Sequence, residues 1–179
     1  MFETLDAVLA DAAAHLTRAA RDRKSPMHVP VVGTGDGDLR MMVLRACDPD
    51  IGLLRFHTDA RSPKARQLGS HAVASVLAFD AEAKIQLRVK GYARIECAGP
   101  VADAAWAASS PYARRCYLAV AAPGSPAERP MSGLPEITVT VPSGATARER
   151  TCVSSSSWYC ASAAPGGLRK MRPSLPVPT

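Results

Sequence analysis

The sequence has few aromatic residues and no long hydrophobic run. Phe, Trp and Tyr make up 5% of the 179 residues, which is too few for a platform on which nucleic-acid bases could stack. No apolar stretch approaches the roughly 20 residues that cross a membrane as a helix. The N-terminus carries acidic residues where a signal peptide would carry Lys or Arg. These absences argue against a membrane protein and against a nucleic-acid-binding protein, and they predict a globular protein of the cytoplasm.

The cysteines show no pairing pattern. The sequence has five of them, an odd number, and none is in a CxxC spacing, so we predict reduced thiols and no metal site. The sequence also lacks a glycine-rich phosphate loop and the alternation of strands and helices that is typical of a parallel sheet. These absences argue against a Rossmann-type nucleotide-binding fold.

Most of the net charge of +6 is located at the C-terminal end of the sequence. From residue 143 onward there are five basic residues and one acid, in a segment rich in Ser, Ala, Thr and Pro. Such a segment buries too little apolar surface to offset the entropy lost on ordering. We therefore expect a folded domain over residues 1–142 and a low-complexity basic tail over 143–179. We expect the tail to be either disordered or out of frame. The second alternative arises because a run of TCG codons for Ser, read in another frame, becomes GTC codons for Val, which would form a Val-rich strand.

The expected domain begins with a helix and contains two further helical segments. Apolar residues at i, i+3 and i+4 predict the first helix over residues 2–24. A short helix is predicted from Ser62 to about Gly69, where Ser-Pro gives a start signal. An Ala-rich helical segment, broken near Pro111, is predicted over 101–117.

Strands account for most of the remainder of the domain. We predict them at 27–34, 39–47, 53–58, 72–79 and 84–96. The run at 72–79 is apolar without interruption, which predicts a strand buried on both faces. Short strands with helices only at the margins predict a mainly β fold, an antiparallel barrel that starts at about residue 27.

One junction between a strand and a helix has the composition of a phosphate site. Ser62 and Pro63 form the N-cap and first-turn signature of a helix, and a helix start presents free N–H groups and partial positive charge to an anion. The positive charge of Lys64 is repelled by the partial positive charge of the helix start, unless a bound anion lies between them. Arg40, on an earlier strand, is a second candidate cation. Taken singly, Arg40 also fits an edge-strand charge and Ser62 a simple cap; taken together they favour a binding site.

Three segments of the sequence resemble the signature of the pyridoxamine 5′-phosphate oxidase-like family, in its related-oxidase branch: RMMVLR at 40–45, FHTDARSPKA at 56–65 and QLRVKG at 86–91. The resemblance spans roughly residues 23–126. It implies a Greek-key split β-barrel with an N-terminal helix and peripheral helices, and it implies FMN as the cofactor. It also implies a homodimer with FMN at the subunit interface and a small-molecule substrate.

The resemblance further implies which residues contact FMN. In the family the positions of Arg40, Ser62 and Lys64 hold the flavin phosphate. Those of His57 and Thr58 line the ribityl chain, and that of Gln86 hydrogen-bonds the edge of the isoalloxazine ring. The predicted cofactor-binding set is Arg40, Met41, Val43, Arg45, His57, Thr58, Ser62, Lys64 and Gln86, and the predicted substrate-binding residues are Arg45 and Arg114.

The geometry of Arg40 and Arg45 limits how both could serve one ligand. Residues five apart on a regular strand face opposite sides of the sheet. The two side chains could meet one ligand only through a β-bulge, or at an interface where each face meets a different subunit's site.

The sequence contains no visible pair of a nucleophile and its base, so no catalytic residue is predicted and the chemistry is assigned to the flavin. We interpret the protein as an FMN-binding flavoprotein, an oxidoreductase of the pyridoxamine 5′-phosphate oxidase-like type whose substrate the sequence does not specify. The alternative interpretation is a non-catalytic split-barrel protein that binds flavin or haem.

Overall fold

The computed structural model describes residues 4–35, 37–69, 72–130 and 132–134, together with the backbone of 151–160. The helices are α1 (Leu5–Arg21), α2 (Pro63–Leu68), α3 (Pro100–Ala108) and α4 (Pro111–Arg115), with 3-10 turns at Pro26–His28 and Cys116–Leu118. The strands are β1 (Val31–Thr34), β2 (Leu39–Met41), β3 (Leu44–Asp48), β4 (Leu53–Asp59), β5 (Ala72–Asp80), β6 (Ile85–Glu96) and β7 (Thr151–Cys160).

The seven strands form one antiparallel sheet in the order β2-β1-β5-β6-β7-β4-β3. The two strands at opposite ends of this order, β2 and β3, are consecutive in the chain and are joined by only Met42 and Val43. The sheet must therefore curl until its two edges approach each other, which produces a barrel. The predicted mainly β fold, an antiparallel split barrel with an N-terminal helix and peripheral helices, is confirmed.

The core fills the inside of this curled sheet. Apolar side chains at alternate positions of the strands point inward, and Leu44, Leu54 and Phe56 are almost completely buried. Helix α1 adds Leu16 and Ala19 to the same cluster, because its apolar stripe packs against β3. Burial of these side chains is the main source of stability for a sheet of this size.

Strand β5 is not buried on both faces, so that prediction is wrong. Its inward residues Ala74, Val76 and Ala78 are buried, whereas the alternate residues Val73 and Phe79 are exposed. The composition of the strand is apolar throughout, but the sheet covers only one of its two faces. The outward face of β5 is therefore an exposed apolar surface.

The predicted strand at 39–47 is two strands, β2 and β3. The chain leaves one edge of the sheet after Met41 and joins the opposite edge at Leu44. Helix α1 is also shorter at both ends than the predicted 2–24, and residues 1–3 lie outside the described part of the chain. The break predicted near Pro111 separates α3 from α4.

A strand also lies within the segment that was predicted to be an unordered tail. Thr151–Cys160 forms β7, which pairs with β4 on one side and β6 on the other. The expectation of disorder came from the Ser-rich composition, but a gap between two long strands supplies backbone hydrogen bonds on both edges of an inserted strand. The rest of the predicted tail, 143–150 and 161–179, lies outside the described residues.

The prediction of five reduced cysteines is wrong, because Cys97 takes part in a disulfide bond. Cys47 and Cys116 are free thiols, whereas Cys97 is disulfide-bonded. Scattered positions in the sequence say nothing about which thiols the sheet brings together, so spacing alone gave no signal for this bond. Among the described helices, none has the length and apolar character needed to span a membrane.

Candidate functional site

Arg40 lies at one edge of the barrel and is held by three neighbours. The register pairs Arg40 with Val32, which is part of the core, so its side chain shares the inner face of the sheet. The guanidinium donates to Thr34 Oγ1 at 3.1 Å and to Gln67 Oε1 of α2 at 3.4 Å. It also forms an ion pair with Asp38. The β1–β2 hairpin and α2 together therefore fix the position of this cation.

Lys64 lies beside Arg40 at the start of α2. Burial lowers the pKa of the half-buried Lys64 ammonium, and the nearby positive charge of Arg40 lowers it further, against smaller opposite effects of Asp59 and Asp38. Among the described residues, none lies within hydrogen-bond or ion-pair distance of the ammonium. The structure thus brings together two of the three residues predicted to hold a phosphate, and it leaves the charge of Lys64 without a direct counter-ion in the described part of the chain.

Ser62, the third predicted phosphate residue, has its hydroxyl turned into the protein. It is 1% exposed, and its Oγ donates to the backbone carbonyl of Asp59 at 2.7 Å. Thr58 is also buried, and its Oγ1 lies 3.2 Å from Ser62 Oγ. Ser62 occupies the N-cap position of α2 but makes no side-chain capping bond. In this structure the two hydroxyls shape the turn between β4 and α2, which places Lys64.

An ion pair that sequence reasoning missed holds this turn against a distant loop. The Asp59 carboxylate accepts from Arg61 Nε at 3.0 Å and from Arg61 Nη2 at 2.8 Å. The remaining Nη1 donates to the backbone carbonyls of Ala119 at 3.0 Å and Val120 at 3.1 Å. The Asp-Ala-Arg spacing was visible in the sequence, but nothing there indicated a partner 58 residues away.

Arg45 and His57 form a second group, on β3 and β4. A β-bulge between Leu44 and Ala46 makes Arg45 an extra residue in the pairing of the two strands. Burial, and then the positive charges of Arg45 and Arg55, lower the pKa of His57 to about 4. His57 is therefore neutral at pH 7, when its ring can both donate and accept a hydrogen bond.

The bulge and the break between β2 and β3 remove the difficulty of the five-residue spacing, because Arg40 and Arg45 do not share a regular strand. Arg40 lies on β2 at one edge of the sheet and Arg45 on β3 at the other. The two arginines therefore lie among different neighbours, Arg40 beside Thr34 and Gln67 and Arg45 beside His57.

Met41, Val43 and Gln86 lie apart from the Arg40–Lys64 pair. Met41 is next to Arg40 on β2 and 69% exposed on the opposite face, while Val43 is half-buried in the link to β3. Gln86 is exposed and pairs with Phe79 near the far end of β6. It is five residues, about 16 Å along an extended strand, from the position that pairs with Ala74 near α2.

Arg114 is engaged by the helix that precedes it. Its Nη2 donates to the backbone carbonyls of Trp106 at 2.8 Å and Ala107 at 3.1 Å. The guanidinium lies over the indole ring of Trp106, 4.8 Å from the ring centroid, and the same indole makes an edge contact with Tyr117 at 6.2 Å between centroids. These contacts are those of a residue that closes the C-terminus of α3. In the described part of the chain, no group of three His, Cys, Asp or Glu side chains could hold a metal ion.

The comparisons with known proteins agree with this fold. Residues 12–96 match the family model of the pyridoxamine 5′-phosphate oxidase FMN-binding domain. A pyridoxamine 5′-phosphate oxidase-related, FMN-binding protein from Nostoc punctiforme has a similar structure, with a TM-score of 0.58 at 20% identity, covering 87% of this chain and 82% of that one. A protein assigned as general stress protein 26 from Jannaschia sp. CCS1 has a TM-score of 0.51 at 14% identity, covering 84% and 75%. No match was found among curated proteins.

At 20% and 14% identity, the two solved structures are evidence for the fold alone. The family model adds the sequence evidence, because it spans the second half of α1 and all six strands from β1 to β6, including the Arg40, His57–Lys64 and Gln86 segments. Over residues 12–96 the chain is therefore similar to the pyridoxamine 5′-phosphate oxidase FMN-binding domain, and it has the split-barrel fold seen in that family.

Proposed function

We propose that this protein binds FMN and is an FMN-dependent oxidoreductase that acts on a small molecule. The observation that supports it most strongly is the pair of cations Arg40 and Lys64, held together at one end of the barrel. Two like charges at close range repel each other, and burial adds to the cost of charging Lys64. A dianionic phosphate between them would offset both costs.

The donors of this pair fit a flavin phosphate. Arg40 offers a planar fork that can donate two parallel hydrogen bonds, and Lys64 offers a compact point charge. Asp38 neutralises part of the positive charge of Arg40, whereas Lys64 keeps its own. The fixed neighbours Thr34 and Gln67 hold the guanidinium in place before any ligand arrives, which reduces the ordering cost of binding.

The remaining predicted residues would take positions along the rest of the cofactor. His57, neutral at pH 7, suits a polar but uncharged ribityl chain, and Arg45 supplies a positive charge next to it. FMN, when bound, supplies the acceptance and donation of hydride. The side chains of this protein would bind and orient the cofactor and its substrate, because no described pair of residues forms a nucleophile with its base.

We infer that the site is completed by a second copy of the chain. The outward faces of β2, β1 and β5 present exposed apolar side chains in one row, because Met41 and Leu77 both pair with Val31. A surface of this kind is typical of a protein interface. Gln86 lies on the same outward face as Leu77 and Phe79. Within one subunit Gln86 is too far from Arg40 for both to contact one flavin. In a homodimer, Gln86 of the partner subunit would reach the flavin whose phosphate Arg40 binds.

The absorption spectrum of the purified protein tests this proposal most simply. A bound flavin gives one absorption band in the near-ultraviolet and one in the visible, and bleaching of the visible band under anaerobic addition of reduced nicotinamide or an amine shows turnover. A flavin spectrum without bleaching by any donor would support a non-catalytic flavin-binding protein instead. A haem spectrum, or no chromophore after addition of FMN, would contradict the proposed cofactor.

A further inference from the structure

Residues 119–125, which follow α4 and its 3-10 turn, run back across the start of α2, and we call them the strap. The Arg61 side chain ties the strap to the turn between β4 and α2, because its Nη1 donates to the backbone carbonyls of Ala119 at 3.0 Å and Val120 at 3.1 Å. The Nε and Nη2 atoms of the same guanidinium donate to the Asp59 carboxylate. One planar group therefore joins the turn to the strap, with a carboxylate on one edge and two carbonyls on the other.

The strap also passes next to Lys64. A Cβ at Gly124 would lie 3.7 Å from Cγ of Pro63, so the Gly124 backbone packs against the ring of the residue that precedes Lys64. The negative charge of Asp59 acts on both the Lys64 ammonium and the Tyr117 hydroxyl, so Asp59 is near both groups. Tyr117 is buried two residues before the strap begins. The strap and the chain that leads into it therefore lie close to the cation pair.

Burial of the Lys64 ammonium matters for any anion held there. Burial is the largest of the effects that lower the pKa of Lys64, ahead of the charge of Arg40. Where water is excluded from a cation, its attraction to a bound anion is stronger, because the two charges are screened less. A segment fixed over Lys64 would therefore retain a phosphate more firmly than an open surface would.

We propose that Arg61 is a positioning residue of the phosphate site, which holds the strap over the start of α2 so that the strap excludes water from Lys64 and slows the departure of a phosphate bound there. This inference rests on the proposed binding of FMN and adds to it a residue that does not touch the cofactor. Arg61 acts through the strap and not through its own charge, because its guanidinium is committed to Asp59 and to the two carbonyls.

Two variants release the strap in different ways. Arg61→Lys keeps a positive charge beside Asp59 but loses the planar fork that reaches both the carboxylate and the two carbonyls. Gly124→Val leaves Arg61 in place and puts a β-branched residue at a φ of +79°, which such residues rarely adopt. Gly99→Val is the matched control, because it introduces the same kind of strain at an exposed glycine with a φ of +88°, before α3.

The first measurement needs no FMN and follows the pKa of Lys64 by NMR of its side chain in the full-length protein. Arg61→Lys and Gly124→Val should raise this pKa towards its usual value of 10.5, because water regains access to the ammonium. A role of Arg61 through its charge alone would instead be preserved by Arg61→Lys. Gly99→Val should leave the pKa of Lys64 unchanged.

The second measurement is the rate at which bound FMN dissociates, read from the recovery of flavin fluorescence after dilution. Both strap variants should lose FMN about 10-fold faster or more, because a loosened strap no longer shields the phosphate. Gly99→Val should lose FMN at the rate of the wild type.

The two measurements separate this inference from the proposed function. A wild type that binds no FMN contradicts the proposed function, and the pKa of Lys64 then still decides whether the strap shields the ammonium. If the wild type binds FMN and both strap variants release it at the same rate, the role of the strap is overturned while FMN binding stands. An unchanged pKa of Lys64 in both variants overturns that role as well. If Gly124→Val does not fold, Arg61→Lys decides both measurements.

Discussion

At the scale of one residue, the position of Lys64 depends on a local sequence signal, the start of α2, and on its proximity to Arg40 of another element. The Ser-Pro-Lys start of α2 was readable from the sequence, because capping and turn preferences act within a few residues. The contact with Arg40 could be proposed only from the family resemblance, since Arg40 lies on another element. The orientation of the Ser62 hydroxyl, inward to the carbonyl of Asp59, could not be predicted, because a Ser in the N-cap position has several acceptors within reach.

His57 leads to a prediction about the pH dependence of stability. Its pKa is about 4 in the folded protein and 6.5 in the unfolded chain, so between these values the unfolded chain binds a proton that the folded protein does not. The contribution of His57 is therefore constant above pH 6.5, and the free energy of unfolding falls as the pH decreases from 6.5 towards 4. By pH 4.5 the loss should be about 2 kcal/mol.

Urea unfolding of the FMN-free protein at pH 7 and pH 4.5 measures this effect. His57→Gln should lose about 2 kcal/mol less than the wild type over that interval, whereas His15→Gln, on the surface helix α1, serves as the matched control. Equal losses in the wild type and His57→Gln would contradict the inferred environment of His57.

Helices and strands could be predicted from the sequence where the pattern that defines them is local. The predictions were wrong where burial or strand bounds depend on how the sheet is assembled. The bounds of α2 and β6 agree with the predictions to within a residue or two, because start signals and alternation are local. The burial of β5 depended on what covers the outward face of the sheet, and the division between β2 and β3 depended on barrel closure. The Ser-rich β7 had a weak apolar pattern of its own and is defined by the two strands that flank it.

Arg61 gives a prediction at the scale of elements, because it connects the β4–α2 turn to the loop after α4. Arg61→Ala removes the hydrogen bonds to Ala119 and Val120 and the guanidinium that pairs with the buried Asp59 carboxylate. We expect backbone amides near 117–120 to exchange with deuterium about 10-fold faster or more, as measured by mass spectrometry of peptides. Arg88→Ala, at an exposed position of β6, should leave that exchange unchanged. Unaltered exchange in Arg61→Ala would show that the loop is held by other contacts.

The molecule as a whole raises the question of the exposed apolar face on β2 and β5. Leu39 is 68% exposed and Phe79 54% exposed, and neither feature was predicted, because the sequence suggested that β5 was covered on both sides. Strand β5 is apolar on both faces, but only its inward face is covered. A second protein surface packed on the outward face would bury these side chains. The proposed second copy would supply that layer.

The dimer is tested by charge introduced into this face. Met41→Lys with Phe79→Lys should produce a monomer by light scattering at micromolar concentration, because a buried like-charge cluster across a two-fold interface is strongly unfavourable. Arg23→Glu with Lys24→Glu changes two exposed charges in the turn after α1, away from this face, and should leave the mass unchanged. A monomeric wild type would contradict the homodimer.

The central claim, that Arg40 and Lys64 hold the phosphate of FMN, is tested most directly by titrating FMN into the purified protein and two double variants. Arg40→Met with Lys64→Met should lower the affinity for FMN by about 100-fold or more, since each side chain would make a charge-assisted hydrogen bond worth about 1.5–3 kcal/mol. Arg23→Met with Lys24→Met also removes one arginine and one lysine, from the exposed turn after α1, and this variant should bind FMN as the wild type does. Riboflavin, which lacks the phosphate, should bind all three proteins with similar affinity. An FMN affinity that is the same in the Arg40/Lys64 variant as in the wild type, with circular dichroism showing both folded, would contradict the account.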